Sequence, residues 1–314
     1  MAKISFFKRR YNLVPVCFLL LVTGNRLQAQ DTSRQAAAAS LPTLSGYSQT
    51  YYYSPGQETR ATQIARFMEE AGDYFQEEIQ FRPRTLLYIL APADWKAVAA
   101  PPLREVYGFP HNIDSKQLAV AAEDNAFWQS FLPPPDQLPP ALASRVKKAY
   151  GKPDGQLSMM PFFDLLALHE MGHSYTTQAG LKMHRHWMGE LFVNIMLHSF
   201  VAEKRPELLP ALETFPDMVV GAGTAGYSYT SLEDFEKLYS TLGMGPKNYG
   251  WYQSKLHAGA KDIYNAGGKT VLPKLWKALK IHQQEMTDAE FVQMLQREVH
   301  PSVASLYLDW NKSR

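Results

Sequence analysis

The stretch FFDLLALHEMGHSY, residues 162–175, decides how this chain is read. Its His169 and His173 are four residues apart, so on a helix both imidazoles project from one face, one turn apart. Two neutral imidazoles in that arrangement can each hold Zn²⁺ at about 2.0–2.1 Å. Glu170 follows the first histidine and points beside the ion, where its carboxylate can take a proton from bound water. Phe162, Phe163, Leu165, Leu166 and Leu168 make the preceding turns apolar, as a buried active-site helix requires. The plainer alternative, two histidines on an ordinary helix, leaves a second polar row downstream unexplained.

That row lies in HWMGELFVNIMLH, residues 186–198, which reads as another helix. Glu190, Asn194 and His198 recur at four-residue spacing between apolar flanks that include Leu191, Phe192 and Ile195. A catalytic zinc takes three protein ligands and keeps a fourth position for water. The candidates after His173 are His184, His186, Glu190, His198 and Glu203, and the polar row selects Glu190. Asn194, one turn on, is placed to orient a ligand. His198, two turns on, is read as support or core.

H-E-x-x-H on one helix with a glutamate on the next resembles the gluzincin metallopeptidases, which include thermolysin and the alanyl-aminopeptidase-like enzymes. The resemblance rests on His169, Glu170, His173 and Glu190 and is diffuse elsewhere. It implies one Zn²⁺ ion held by His169, His173 and Glu190, and hydrolysis of peptide bonds with Glu170 as general base. It implies an edge strand beside the active helix, where an extended peptide adds as a further strand; Gln117–Ala122 is the candidate. It also implies a tyrosine that supports the oxyanion. In NYGWYQ, residues 248–253, Tyr249 is the first choice and Tyr252 the second. Glu123, Asp124 and Asn125 loosely resemble the acidic loop that captures a substrate amino terminus in the aminopeptidases, without its glycine; a solvated turn is the alternative. Metzincins place a third histidine six residues after the second, following a glycine; residues 174–179 (SYTTQA) offer neither, so that branch is excluded.

The first 29 residues form a different kind of segment. Residues 1–12 are basic, residues 13–22 (LVPVCFLLLV) are apolar, and a polar stretch ends at Ala29. This is the three-part pattern of a secretory signal peptide. Ten apolar residues span about 15 Å as a helix, half of a hydrocarbon core of roughly 30 Å, so no stable membrane span is expected. The expected location is periplasmic or secreted. Lys3, Lys8, Arg9, Arg10 and Arg26 all lie in this segment, which holds no acid. Removing those five charges takes the formal +2 of the chain to −3. A basic nucleic-acid-binding surface therefore has no compositional support. The single cysteine, Cys17, also falls here, which excludes disulfide scaffolds and thiolate chemistry from the remainder.

Residues 30–50, small and polar, read as a flexible leader. Residues 51–180 read as an N-terminal α+β part that ends with the H-E-x-x-H helix. It includes an amphipathic helix near 58–80 and strands at Thr85–Ala91 and Gln117–Ala122. Residues 181–314 read as a helical part, with a capping box at Thr287 and Glu290. The fold class is thus α+β, mainly helical, with a small mixed sheet. VVGAGTAG, residues 219–226, matches G-x-G-x-x-G, but no strand–helix unit surrounds it, so a connecting loop is expected. The competing functional reading is an exported helical binding module with a structural or vestigial zinc site. It requires a fourth protein ligand, for instance His184 or His186.

Overall fold

The computed structural model describes residues 24–241 and 243–312. Most of the expected signal segment, residues 1–23, lies outside these. Helix α1 (Gly24–Ala39) runs through the expected cleavage point at Ala29 and into the expected leader. Its last turns carry four consecutive alanines, the strongest helix formers, so residues 30–39 are helical where a loose segment was expected. The chain after it lies along the first strand, with the Leu44 amide donating to Tyr51 O at 2.9 Å and the Tyr53 amide to Pro42 O at 3.0 Å.

Strand β1 (Thr50–Tyr53) leads into helix α2 (Glu58–Ile79), whose buried Ile64, Met68, Tyr74 and Phe75 follow the expected helical stripe. Strand β2 (Leu86–Leu90) pairs parallel with β1, so α2 is the crossover between them. Short helix α3 (Pro92–Val98) precedes the hairpin of β3 (His111–Asp114) and β4 (Gln117–Ala121). The sheet order is β1-β2-β4-β3, with β4 parallel to β2 and β3 antiparallel to β4.

This order corrects one expectation. Gln117–Ala122 is not the edge; β4 is an interior strand and β3 is the edge beside the H-E-x-x-H helix. The reason lies in burial. Leu118, Ala119, Val120 and Ala121 are all buried, as an interior strand demands, whereas β3 reads HNID, too short and polar to announce itself. A register shift between Asn112 and Asp114 bulges this strand, the device that re-aims side chains at sheet edges.

Short α4 (Ala126–Gln129) and α5 (Pro140–Tyr150) lead to α6 (Met160–Gln178) and α7 (His186–Lys204). Helix α7 is buried almost all round, from Trp187 to Val201, which makes it the central helix of the molecule. Helices α8 (Leu209–Gly221), α9 (Leu232–Leu238) and α10 (Gly245–Gly267) follow, with α8 and α10 packed on each other and α10 laid along α7. Gly221 ends α8, and Gly223 and Gly226 belong to the exposed connection between α8 and α9. Helices α11 (Val271–Ile281), α12 (Asp288–Met294) and α13 (Pro301–Leu308) complete the fold, and Thr287 opens α12 with the expected capping box.

One continuous cluster of buried side chains runs through both parts of the chain, joining Phe75 and Tyr175 to Phe200 and Trp276. Helices α6 and α7 meet closely at Gly172, where an added Cβ would stand 2.9 Å from Val193 Cβ. The glycine inside the motif is therefore what lets the two site-bearing helices approach. Among the described residues, no helix is long and apolar enough to cross a membrane.

Candidate metal centre

The four-residue spacing on α6 brings the His169 and His173 rings to 5.1 Å between centroids. Glu190, in the second turn of α7, reaches them from across the helix interface. Its Oε2 lies 3.2 Å from His169 Nε2 and 3.7 Å from His173 Nε2. Among the described residues these three form the one group of His, Cys, Asp or Glu close enough to hold a metal ion. Two imidazole nitrogens and one carboxylate oxygen suit a divalent transition metal, and three protein donors leave a coordination position open.

The surroundings fit an ion-binding role. Asn194 Oδ1 lies 2.7 Å from His169 Nδ1, so Nδ1 carries a proton and the ring is oriented with Nε2 facing Glu190. Asn194 is fully buried, and among the described residues its Nδ2 has no partner, so its side chain is engaged through the oxygen. Glu190 is 1% exposed, a position a carboxylate tolerates only when partnered. Tyr239 Oη donates to its Oε1, and Gln253 Nε2 donates to Oε2 at 2.8 Å. Burial opposes ionisation of Glu190, but the two histidines and the Tyr239 hydroxyl hold its pKa far below the usual carboxylate range. Burial likewise opposes the His169 cation, yet the Glu190 carboxylate prevails and raises its pKa.

Glu170 stands apart from this donor group. Asn112 Nδ2, on the bulged edge strand, donates to Glu170 Oε2 at 2.9 Å and to its backbone oxygen at 2.7 Å. Burial pushes the Glu170 carboxyl up, against the pull of His173 and His169. A carboxylate of raised basicity beside an open metal position is suited to accept a proton.

Tyr249, on α10, lies beside the centre. Its Oη accepts from Gln253 Nε2 at 2.8 Å, and its own O–H is taken by no acceptor among the described residues. Burial first, and then the Glu190 carboxylate, keep this phenol protonated well past its ordinary range. Tyr252 is directed elsewhere: its hydroxyl donates to Ser231 O at 2.7 Å, and its ring stacks on Trp310. His198 lies outside the donor group, with His257 and Lys261 in a small cavity between α7, α8 and α10.

Neither histidine invoked for a closed site joins the centre. His184 Nε2 is 2.9 Å from His282 O, and exposed His186 stacks on the Tyr239 ring. The acidic loop is engaged in local structure: Asp124 accepts from Ser158 Oγ at 2.6 Å and Lys152 Nζ at 3.1 Å, while Asn125 caps α4.

Sequence reasoning missed Asn112, Tyr239, Gln253 and His257, whose ring stacks on His169 at 5.8 Å. A signal existed for two of them. Tyr249, Gln253 and His257 recur every four residues on α10 and face the Glu190–Asn194–His198 row of α7. Asn112 and Tyr239 belong to short elements without a readable period. Comparison with protein-family models, curated proteins and solved structures gives no match.

Proposed function

We propose that the protein is an exported zinc-dependent metallopeptidase of gluzincin type. The observation that carries this reading is the division of labour at the centre. His169, His173 and Glu190 form a three-donor group, while Glu170 stands beside them on a separate hydrogen bond to Asn112. A structural site would instead enclose the ion with four protein ligands. Export rests on the basic and apolar pattern of residues 1–29.

When bound, zinc supplies Lewis acidity, polarising the scissile carbonyl and bringing the pKa of water down to about 7. Glu170 removes a proton from the attacking water as its oxygen bonds to the carbonyl carbon. Tyr249 donates its free O–H to the oxygen that gains negative charge in that step. Glu170 then passes the proton to the departing amine nitrogen as the carbon–nitrogen bond breaks. Asn112 holds one Glu170 oxygen, leaving the other for proton transfer.

The test is cleavage of a peptide library by the purified protein, with and without a chelator. Cleavage that disappears with chelator and returns with Zn²⁺ is expected. Absence of cleavage by zinc-loaded protein, or cleavage indifferent to chelator, would overturn the proposal.

A further inference from the structure

We propose that Tyr239 is a positioning residue that confines Glu190 to binding the metal ion through one oxygen, Oε2. This rests on the metal-binding part of the reading above and not on peptide hydrolysis. A carboxylate has two oxygens and can grip an ion with both, which consumes a coordination position otherwise open to water or substrate. Here the oxygens are assigned different tasks. Oε2 is the atom 3.2 Å and 3.7 Å from the two histidine Nε2 atoms. Gln253 Nε2 donates to that oxygen at 2.8 Å, which leaves it a lone pair for the ion. Oε1 instead accepts from Tyr239 Oη, a charge-assisted bond of the stronger kind.

The tyrosine is anchored to the same helix as the ligand it holds. Glu236, on α9, accepts from the backbone amides of His186 at 3.0 Å and Trp187 at 2.9 Å, in the first turn of α7. The N-cap residue of α7, Arg185, offers no side-chain cap, so Glu236 performs that task from a neighbouring element. His186 also stacks on the Tyr239 ring at 4.7 Å. Helix α9 thus registers Tyr239 on α7 one turn before Glu190.

The test compares wild type, Tyr239→Phe and Tyr252→Phe. Metal-free protein is titrated with Zn²⁺ against a chromophoric chelator, and the Co²⁺-loaded forms are compared by visible absorption. Phenylalanine keeps the ring packing on His186 and Phe235. Removing the hydroxyl frees Oε1, so the Co²⁺ bands of Tyr239→Phe are expected to weaken and shift as the coordination number rises. Its Zn²⁺ affinity is expected to fall about 10–100-fold, the usual cost of losing a partner that orients a ligand. Tyr252→Phe loses a hydroxyl at the same helix junction and is expected to match wild type in both measurements. A wild-type spectrum in Tyr239→Phe, or equal changes in both variants, would overturn the inference. Failure of wild type to bind either ion would remove the metal centre itself, and this role with it.

Discussion

Gly172 of α6 and Val193 of α7 stand so close that a Cβ on the glycine would lie 2.9 Å from both Cβ and Cγ1 of the valine. Valine is branched at Cβ and holds one preferred rotamer in a helix, so it cannot swing aside. Gly172→Ala therefore pits a helix-propensity gain of about 1 kcal/mol against overpacking of about 1–3 kcal/mol. Overpacking is expected to win, with Glu190 moved away from the histidines. Denaturant melts and zinc titration check this; a variant as stable as wild type with unchanged affinity would show that the helices yield freely.

Glu170, on α6, and Glu190, on α7, have separable roles. Glu170→Gln is expected to abolish peptide cleavage while one metal ion remains bound per chain. Glu190→Ala is expected to lose the ion. Atomic absorption alongside the cleavage assay separates the two, and retained cleavage in Glu170→Gln would remove that residue from the mechanism.

Tyr249→Phe deletes a phenolic proton beside the centre that no acceptor takes among the described residues. Loss of a donor to a developing oxyanion costs about 10²–10³ in kcat. The expected result is a fall of that order with KM little changed. An unchanged kcat would assign the oxyanion to the ion alone.

His198 carries a pH prediction. Burial, and secondarily the Lys261 cation, lower its pKa from the ordinary 6.5 to about 4. The folded state therefore favours neutral His198, and its contribution is complete above the unfolded pKa and lost as pH falls towards 4. Between about pH 7 and pH 4.5 this loss is on the order of 2 kcal/mol. His198→Gln, compared with wild type by urea unfolding in chelator, should lose less stability over that range. Parallel losses in the two proteins would show that other groups govern the acid limb.

Much of the architecture was readable because it is periodic. The apolar stripe of α2, the capping box at Thr287 and the spacing of His169 and His173 each repeat on the scale of a helical turn. Glu190 was legible for a related reason: a polar residue on a helix otherwise apolar all round needs a partner. What escaped was held together only in space. Asn112 sits on a four-residue polar strand, and Tyr239 follows a seven-residue helix. Elements that short make too few turns to show a pattern, so their residues reach the centre through tertiary packing alone. Helix α1 escaped for another reason, since a run of alanines carries helix propensity but no amphipathic stripe.

The cap that Glu236 places on the first turn of α7 also separates two kinds of evolutionary freedom. Because α9 docks by its own carboxylate, the surface connection over residues 222–231 need not dictate where Tyr239 lands. Insertions there can lengthen the surface while the Glu236 cap still sets Tyr239 against Glu190.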